Sequence, residues 1–208
     1  MTTPAERRLE QAAEPPPPPP RVPLWNIANI LTVVRIVLVP VFVAALMHDG
    51  GHSTLWRLIA AAVFFLASAT DRLDGQLARK HNLITDFGKI ADPIADKALI
   101  GAALICLSVL HELWWWVTVV ILAREIGITL MRFWVIRYGV IAASPGGKLK
   151  TVLQSLAIFL YVLPLGGVAW LQWSATVVMA AALALTVGTG ADYVARALRL
   201  RAGAGRAR

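Results

Sequence analysis

The chain has 208 residues, 58% of them hydrophobic and 15% charged, with a mean hydropathy of +0.66. Water-soluble domains hold about 45–50% apolar and about 25% charged residues, so this composition excludes a soluble Rossmann-type or sandwich enzyme and makes the bilayer the expected solvent. The formal charge of +8, from 20 Lys and Arg against 12 Asp and Glu, is compatible with nucleic acid, anionic lipid or membrane topology, and the positions of the charges decide among these.

Residues 1–25 are polar and proline-rich, with Pro15 to Pro20 an unbroken run that favours an extended polyproline spacer. Arg7 and Arg8 are followed by Glu10, Glu14 and prolines, not by an apolar stretch, so the segment reads as a disordered cytoplasmic tail and not as a signal peptide. Apolar segments then follow at 27–47, 54–71, 90–110, 113–136, 150–168 and 172–193. Six spans of about 20 residues require about 120 apolar residues, and 58% of 208 supplies about 121. Backbone groups cannot be left unsatisfied in lipid, and unalternated apolar runs select helices over a barrel. The expected fold is all-α: a polytopic membrane domain of six transmembrane helices over 26–196, followed by a basic cytoplasmic tail at 197–208. The single cysteine, Cys106, allows no disulfide within the chain.

Sixteen of the 20 Lys and Arg fall on one side of this topology: in the N-terminal tail, between 71 and 97, between 137 and 150, and from 196 onward. Only Arg57 falls on the other side, while Arg35, Arg124 and Arg132 lie within apolar segments. The positive-inside rule therefore puts both termini in the cytoplasm, in a multi-pass cell-membrane protein whose basic balance is topology and not nucleic-acid binding. Trp56, Trp114 to Trp116, Trp170 and Trp173 cluster at the opposite interface, as an aromatic belt does.

Four carboxylates meet at the cytoplasmic end of the second and third segments. Asp71 and Asp74 are three residues apart and Asp92 and Asp96 four apart, so each pair shares a helix face. A solvated loop would scatter its charges; these keep helical spacing and alternate with small residues. Carboxylates crowded near hydrocarbon need a cation, and hard divalent metals with oxygen ligands supply it. Two Mg²⁺ or Mn²⁺ ions suit the set, in an arrangement fitted to displacement at phosphorus. Gly75 and Ala78 would let a flat ligand such as a nucleobase approach the backbone.

The gap-free pattern Asp71, Asp74, Gly75, Ala78, Arg79, Gly88, Asp92 and Asp96 resembles the signature of the CDP-alcohol phosphatidyltransferases. That resemblance implies a six-helix membrane enzyme, usually a homodimer, in which the hydroxyl of an alcohol displaces CMP from a CDP-linked lipid. It further implies that Asp71, Asp74, Asp92 and Asp96 hold two divalent metals and that Asp96 is the general base. Gly75, Ala78 and Gly88 would lie against the cytidine, and Arg79 would meet the diphosphate.

A second set of charges comprises Arg124 and Glu125, then Arg132, Lys148 and Lys150. Charges inside a membrane are costly and usually functional. Arg124 and Arg132 are about two turns apart on one face, and with the lysines they suggest an anion pocket for a phosphorylated alcohol. The bland alternative pairs Arg124 with Glu125 structurally and lets Arg132 and the lysines reach lipid phosphates. Ala123-Arg124-Glu125-Ile126, Leu130-Met131-Arg132 and Gly147-Lys148-Leu149-Lys150-Thr151 resemble the phosphatidylglycerophosphate synthase branch of that family. Asn26, Asn29, Leu31-Thr32 and Arg35 add to the likeness. This resemblance implies CDP-diacylglycerol and sn-glycerol 3-phosphate as substrates. Arg124, Lys148 and Lys150 would hold the glycerol phosphate, while Asn29, Thr32 and Arg35 would line the nucleotide side.

Inositol phosphate, or phosphatidylglycerol in cardiolipin synthesis, stands as an alternative acceptor. A cation or proton transporter is the alternative of another class, disfavoured because the acids lie at one membrane edge and no repeat is evident. The four histidines follow no metal spacing, and Asp192 with Arg196 reads as a helix-surface pair.

Overall fold

The computed structural model describes residues 26–80, 85–135, 145–164 and 168–206, without the side chains of 28, 71–80, 86, 87, 89, 90, 132, 133, 135, 145 and 200–206. The proline-rich segment 1–25 lies outside the described residues. Among the described residues there are six α-helices and no strand: α1 Ile27–Met47, α2 Thr54–Lys80, α3 Asp86–Val109, α4 Trp115–Val135, α5 Pro145–Val162 and α6 Ala169–Arg206.

Local chemistry sets where several of these helices begin. The Asn26 side chain caps α1 by accepting the N–H of Asn29 at 3.0 Å, and Thr85 caps α3 by accepting the N–H of Gly88 at 3.0 Å. Pro145 opens α5, where a missing N–H costs nothing. Between α1 and α2 a 3₁₀ turn, His48–Gly51, reverses the chain. Gly51 sits there at φ 77, a backbone conformation that favours glycine, and a Cβ on it would stand 2.9 Å from Leu110 Cδ1 and push that side chain aside.

The apolar segment at 27–47 coincides with α1, but others underestimate their helices: α2 runs on to Lys80, α3 starts at Asp86 and α6 continues to Arg206. Arg, Lys, Gln, Leu and Ala are good helix formers, so helix outlasts hydrophobicity at these ends. The basic segment 197–206 is thus a continuation of the last helix. Among the described residues two helices are long and apolar enough to cross a membrane, within Asn29–Gly51 and Ala169–Arg199, and Thr54–Thr70 is a shorter apolar stretch. Elsewhere charge interrupts the apolar run, with Asp92, Asp96 and Lys97 in α3, Arg124 and Glu125 in α4, and Lys148 and Lys150 in α5.

The core joins α1 to α5 through Phe42, Leu46, Phe64, Leu99, Leu104, Ile121 and Ile158, with Met179 added from α6. Phe42 and Phe64 stack at 5.7 Å between centroids, and a buried Ser108–Thr118 hydrogen bond of 2.7 Å links α3 to α4.

The end of the bundle rich in exposed tryptophan is tied by Arg57. Its guanidinium pairs with Glu112 through both terminal nitrogens, one of them at 2.8 Å from Oε2, and its Nε donates to the Val162 carbonyl at 3.1 Å. One side chain thus binds α2 to the start of the α4 region and the end of α5. Arg57→Met is expected to cost about 2–3 kcal/mol, the range for hydrogen bonds to charged groups. In detergent that is a fall of about 5–10 °C in the thermal midpoint. Arg57→Lys should recover only part of it, since an ammonium cannot make the fork. An unchanged midpoint in Arg57→Met would mean that the pair contributes nothing.

Candidate active site

At the opposite end, hydrogen bonds gather the start of α1, the middle of α2 and the start of α3. Thr32 donates its hydroxyl to Asp92 Oδ1, and Thr85 donates to Asn29 Oδ1 at 2.9 Å. Arg35 is fully buried and its Nε donates to the Ala67 carbonyl at 3.3 Å, so it turns inward to α2 and not out toward lipid headgroups. Asn29, Thr32 and Arg35, the three α1 residues expected on the nucleotide side, are therefore all buried along the seam with α2 and α3.

Gly88 lies under this cluster. A Cβ there would stand 2.9 Å from Asn29 Oδ1 and 3.3 Å from Thr85 Oγ1, with Asp92 Oδ2 at 3.7 Å. Its lack of a side chain lets Asn29 close over the first turn of α3. The backbone of α2 carries Asp71, Asp74, Gly75, Ala78 and Arg79 through its last turns, and the side chains of these five lie outside the described residues. Among the described residues no group of three or more His, Cys, Asp or Glu is arranged to hold a metal ion. Only the α3 half of the expected set, Asp92 and Asp96, is visible; both are half-buried and one helical turn apart.

Asp96 opens into a cavity of about 610 Å³ between α3, α4 and α5. Its polar lining is Asp96, Lys97, Glu125, Thr129, Lys150, Thr151 and Gln154, and Ile94, Ile100, Leu122 and Ile126 supply apolar wall. Lys97 donates to Thr129, which bonds back to the Glu125 carbonyl at 2.7 Å. Glu125 Oε1 accepts from both Lys150 Nζ and Arg124 Nη1, the latter at 2.9 Å. Two cations on one carboxylate leave the trio one net positive charge.

The expected basic pocket is only partly assembled. Lys150 is buried and lines the cavity. Lys148, two residues earlier and about 200° round the helix, is exposed and outside the lining. Arg124 turns to α6, where Nη2 donates to Thr189 Oγ1 at 2.9 Å and its stem packs 3.2 Å from where a Cβ of Gly190 would sit. The structural pairing of Arg124 with Glu125 is thus present, and the Arg132 side chain lies outside the described residues. Asp192 and Arg196 pair on the exposed face of α6 at 2.9 Å.

The model of the CDP-alcohol phosphatidyltransferase family matches residues 25–188, well over half of the chain. The chain belongs to that family. Relatives among the CDP-alcohol phosphatidyltransferases include a Mycobacterium tuberculosis protein named as a probable phosphatidylglycerophosphate synthase. It is 59% identical over 179 residues, covering 86% of this chain and 85% of the relative. A Haemophilus influenzae protein named CDP-diacylglycerol–glycerol-3-phosphate 3-phosphatidyltransferase is 36% identical over 181 residues, covering 82% and 92%. A Bacillus subtilis protein of the same name is 39% identical over 145 residues, covering 65% and 75%. The family match takes in every site residue named above except Thr189, Gly190, Asp192 and Arg196; it includes Gln154, to which sequence pattern assigned no role.

Proposed function

We propose that this protein transfers the phosphatidyl group of CDP-diacylglycerol to sn-glycerol 3-phosphate, releasing CMP and forming phosphatidylglycerophosphate. The observation that carries this reading is the cavity that Asp96 and Lys150 both line: a carboxylate for a hydroxyl and a cation for a phosphate, as a phosphorylated alcohol requires. The names of relatives as distant as the Haemophilus influenzae protein agree with it.

Asp71, Asp74, Asp92 and Asp96 would hold two divalent cations, Mg²⁺ or Mn²⁺. The donor set suits such ions, because carboxylate oxygens are hard ligands and Thr32 already orients Asp92. When bound, the ions neutralise the diphosphate oxygens and stabilise the departing CMP. Asp96 accepts the proton of the attacking hydroxyl. Lys150, held by Glu125, draws the acceptor phosphate. Asn29, Thr32 and Arg35 with Gly75, Ala78, Arg79 and Gly88 form the nucleotide side.

All six helices span the cell membrane in this reading, with both termini and the site on the cytoplasmic side, and two copies form a homodimer by family resemblance. The two apolar windows are only 28% buried within the chain, unlike the core helices of a soluble globule. Exposed Val33, Val34, Ile36, Val37 and Val41 on α1 supply a surface suited to lipid.

With CDP-diacylglycerol and Mg²⁺ or Mn²⁺, a panel of alcohols should release CMP fastest with glycerol 3-phosphate, and chelation of the metal should stop release. Release with inositol phosphate alone would move the chain to another branch. No CMP with any alcohol would overturn the proposed chemistry.

A further inference from the structure

We infer that Gln154 is the residue that reads the secondary hydroxyl of the acceptor, an inference that rests on glycerol 3-phosphate being that acceptor. Gln154 is 3% exposed, and its amide Oε1 has no hydrogen-bond partner among the described residues. Buried amides are almost always satisfied, and one that is not, facing a cavity, marks the place where a ligand completes the bond. That cavity is the one Asp96 opens into.

Its position along the site is specific. Gln154 follows Lys150 by four residues on α5, so the two share a face, with the amide one turn deeper. The amide thus lies one turn along α5 from the cation, in the cavity that the Asp96 carboxylate lines from α3. In glycerol 3-phosphate the phosphate and the attacking primary hydroxyl stand at opposite ends of a three-carbon chain, with the secondary hydroxyl between them. A phosphate drawn by Lys150 and a primary hydroxyl at Asp96 bring that middle hydroxyl to the amide. An amide both donates and accepts, and a hydroxyl answers either way.

The test compares glycerol 3-phosphate with propane-1,3-diol monophosphate, which lacks only the secondary hydroxyl, on the full-length enzyme. Wild type should favour glycerol 3-phosphate in kcat/KM by about 100-fold, because the analogue leaves a buried polar group unpaired. Gln154→Met, close in volume but without the amide, should lose most of that factor on glycerol 3-phosphate. It should change less than about 3-fold on the analogue, so that the ratio falls toward one. Parallel losses on both substrates would assign Gln154 a packing role and overturn the inference. A wild-type ratio near one would overturn it too, whether or not the variant assembles. Wild type releasing no CMP with glycerol 3-phosphate would instead sink the acceptor reading, and this inference with it.

Discussion

Asp96→Asn is expected to lower turnover by about 10²–10⁴-fold, the contribution of a positioned general base, while CDP-diacylglycerol still binds. Asn has the shape of Asp and keeps an oxygen that can accept hydrogen bonds, but it cannot take the proton of the attacking hydroxyl. The geometry separates its role from that of Asp92. Asp92 receives the Thr32 hydroxyl and faces the α1 seam, whereas Asp96, one turn further along α3, lines the cavity shared with Glu125, Lys150 and Gln154. Asp92→Asn should therefore raise the metal concentration needed for half activity, with turnover recovering at saturating metal. Asp96→Asn should stay inactive at any metal concentration. Both constants are read from CMP release against Mg²⁺ or Mn²⁺. Recovery of Asp96→Asn by excess metal would restrict that residue to holding the ion, and full activity without excess metal would remove it from the chemistry.

This contrast bears on what was legible in the sequence. Helical spacing alone pairs Asp92 with Asp96 on one face, and nothing in the spacing says that one carboxylate turns to α1 and the other to α4 and α5. That difference arises from Thr32, sixty residues away in the chain. The helices were legible wherever apolar residues run without interruption, as in α1, and least so where a helix passes into charged sequence, as at the ends of α2 and α6. Hydropathy measures the lipid-facing part of a helix, while helix continues as long as propensity allows. The contact of Glu125 with α5 and the burial of Gln154 were illegible for a related reason. Glu125 stands beside Arg124 in sequence and reads as its neutralising partner, yet its carboxylate also accepts Lys150 from another helix. Gln154 carries no charge in an otherwise apolar stretch, and only burial against a cavity distinguishes it from a residue facing another helix.

The same argument changes which cation matters most for the acceptor. Sequence pattern weights Arg124, Lys148 and Lys150 alike, but only Lys150 lines the cavity. Lys150→Met is expected to raise the KM for glycerol 3-phosphate by about 10–100-fold with turnover at saturation little changed. This is the loss of one charge-assisted contact to a phosphate made equally in ground and transition states. The charge balance supports the size of the effect. With Lys150 the trio of Arg124, Glu125 and Lys150 carries one net positive charge; without it Arg124 and Glu125 cancel, and the cavity wall offers the phosphate only Lys97, which is engaged with Thr129. Arg124→Met should behave differently. Its guanidinium is held by Thr189 and packs against Gly190 of α6, so its loss should loosen the α4–α6 contact and lower the thermal midpoint more than it raises KM. Lys148→Met, at an exposed position, should change neither by more than about 2-fold or a degree or two. Measured together, the three variants rank the cations by geometry. A KM unchanged in Lys150→Met but raised in Arg124→Met would put the phosphate on the α6 side of Glu125 and move the acceptor out of the cavity that holds Asp96.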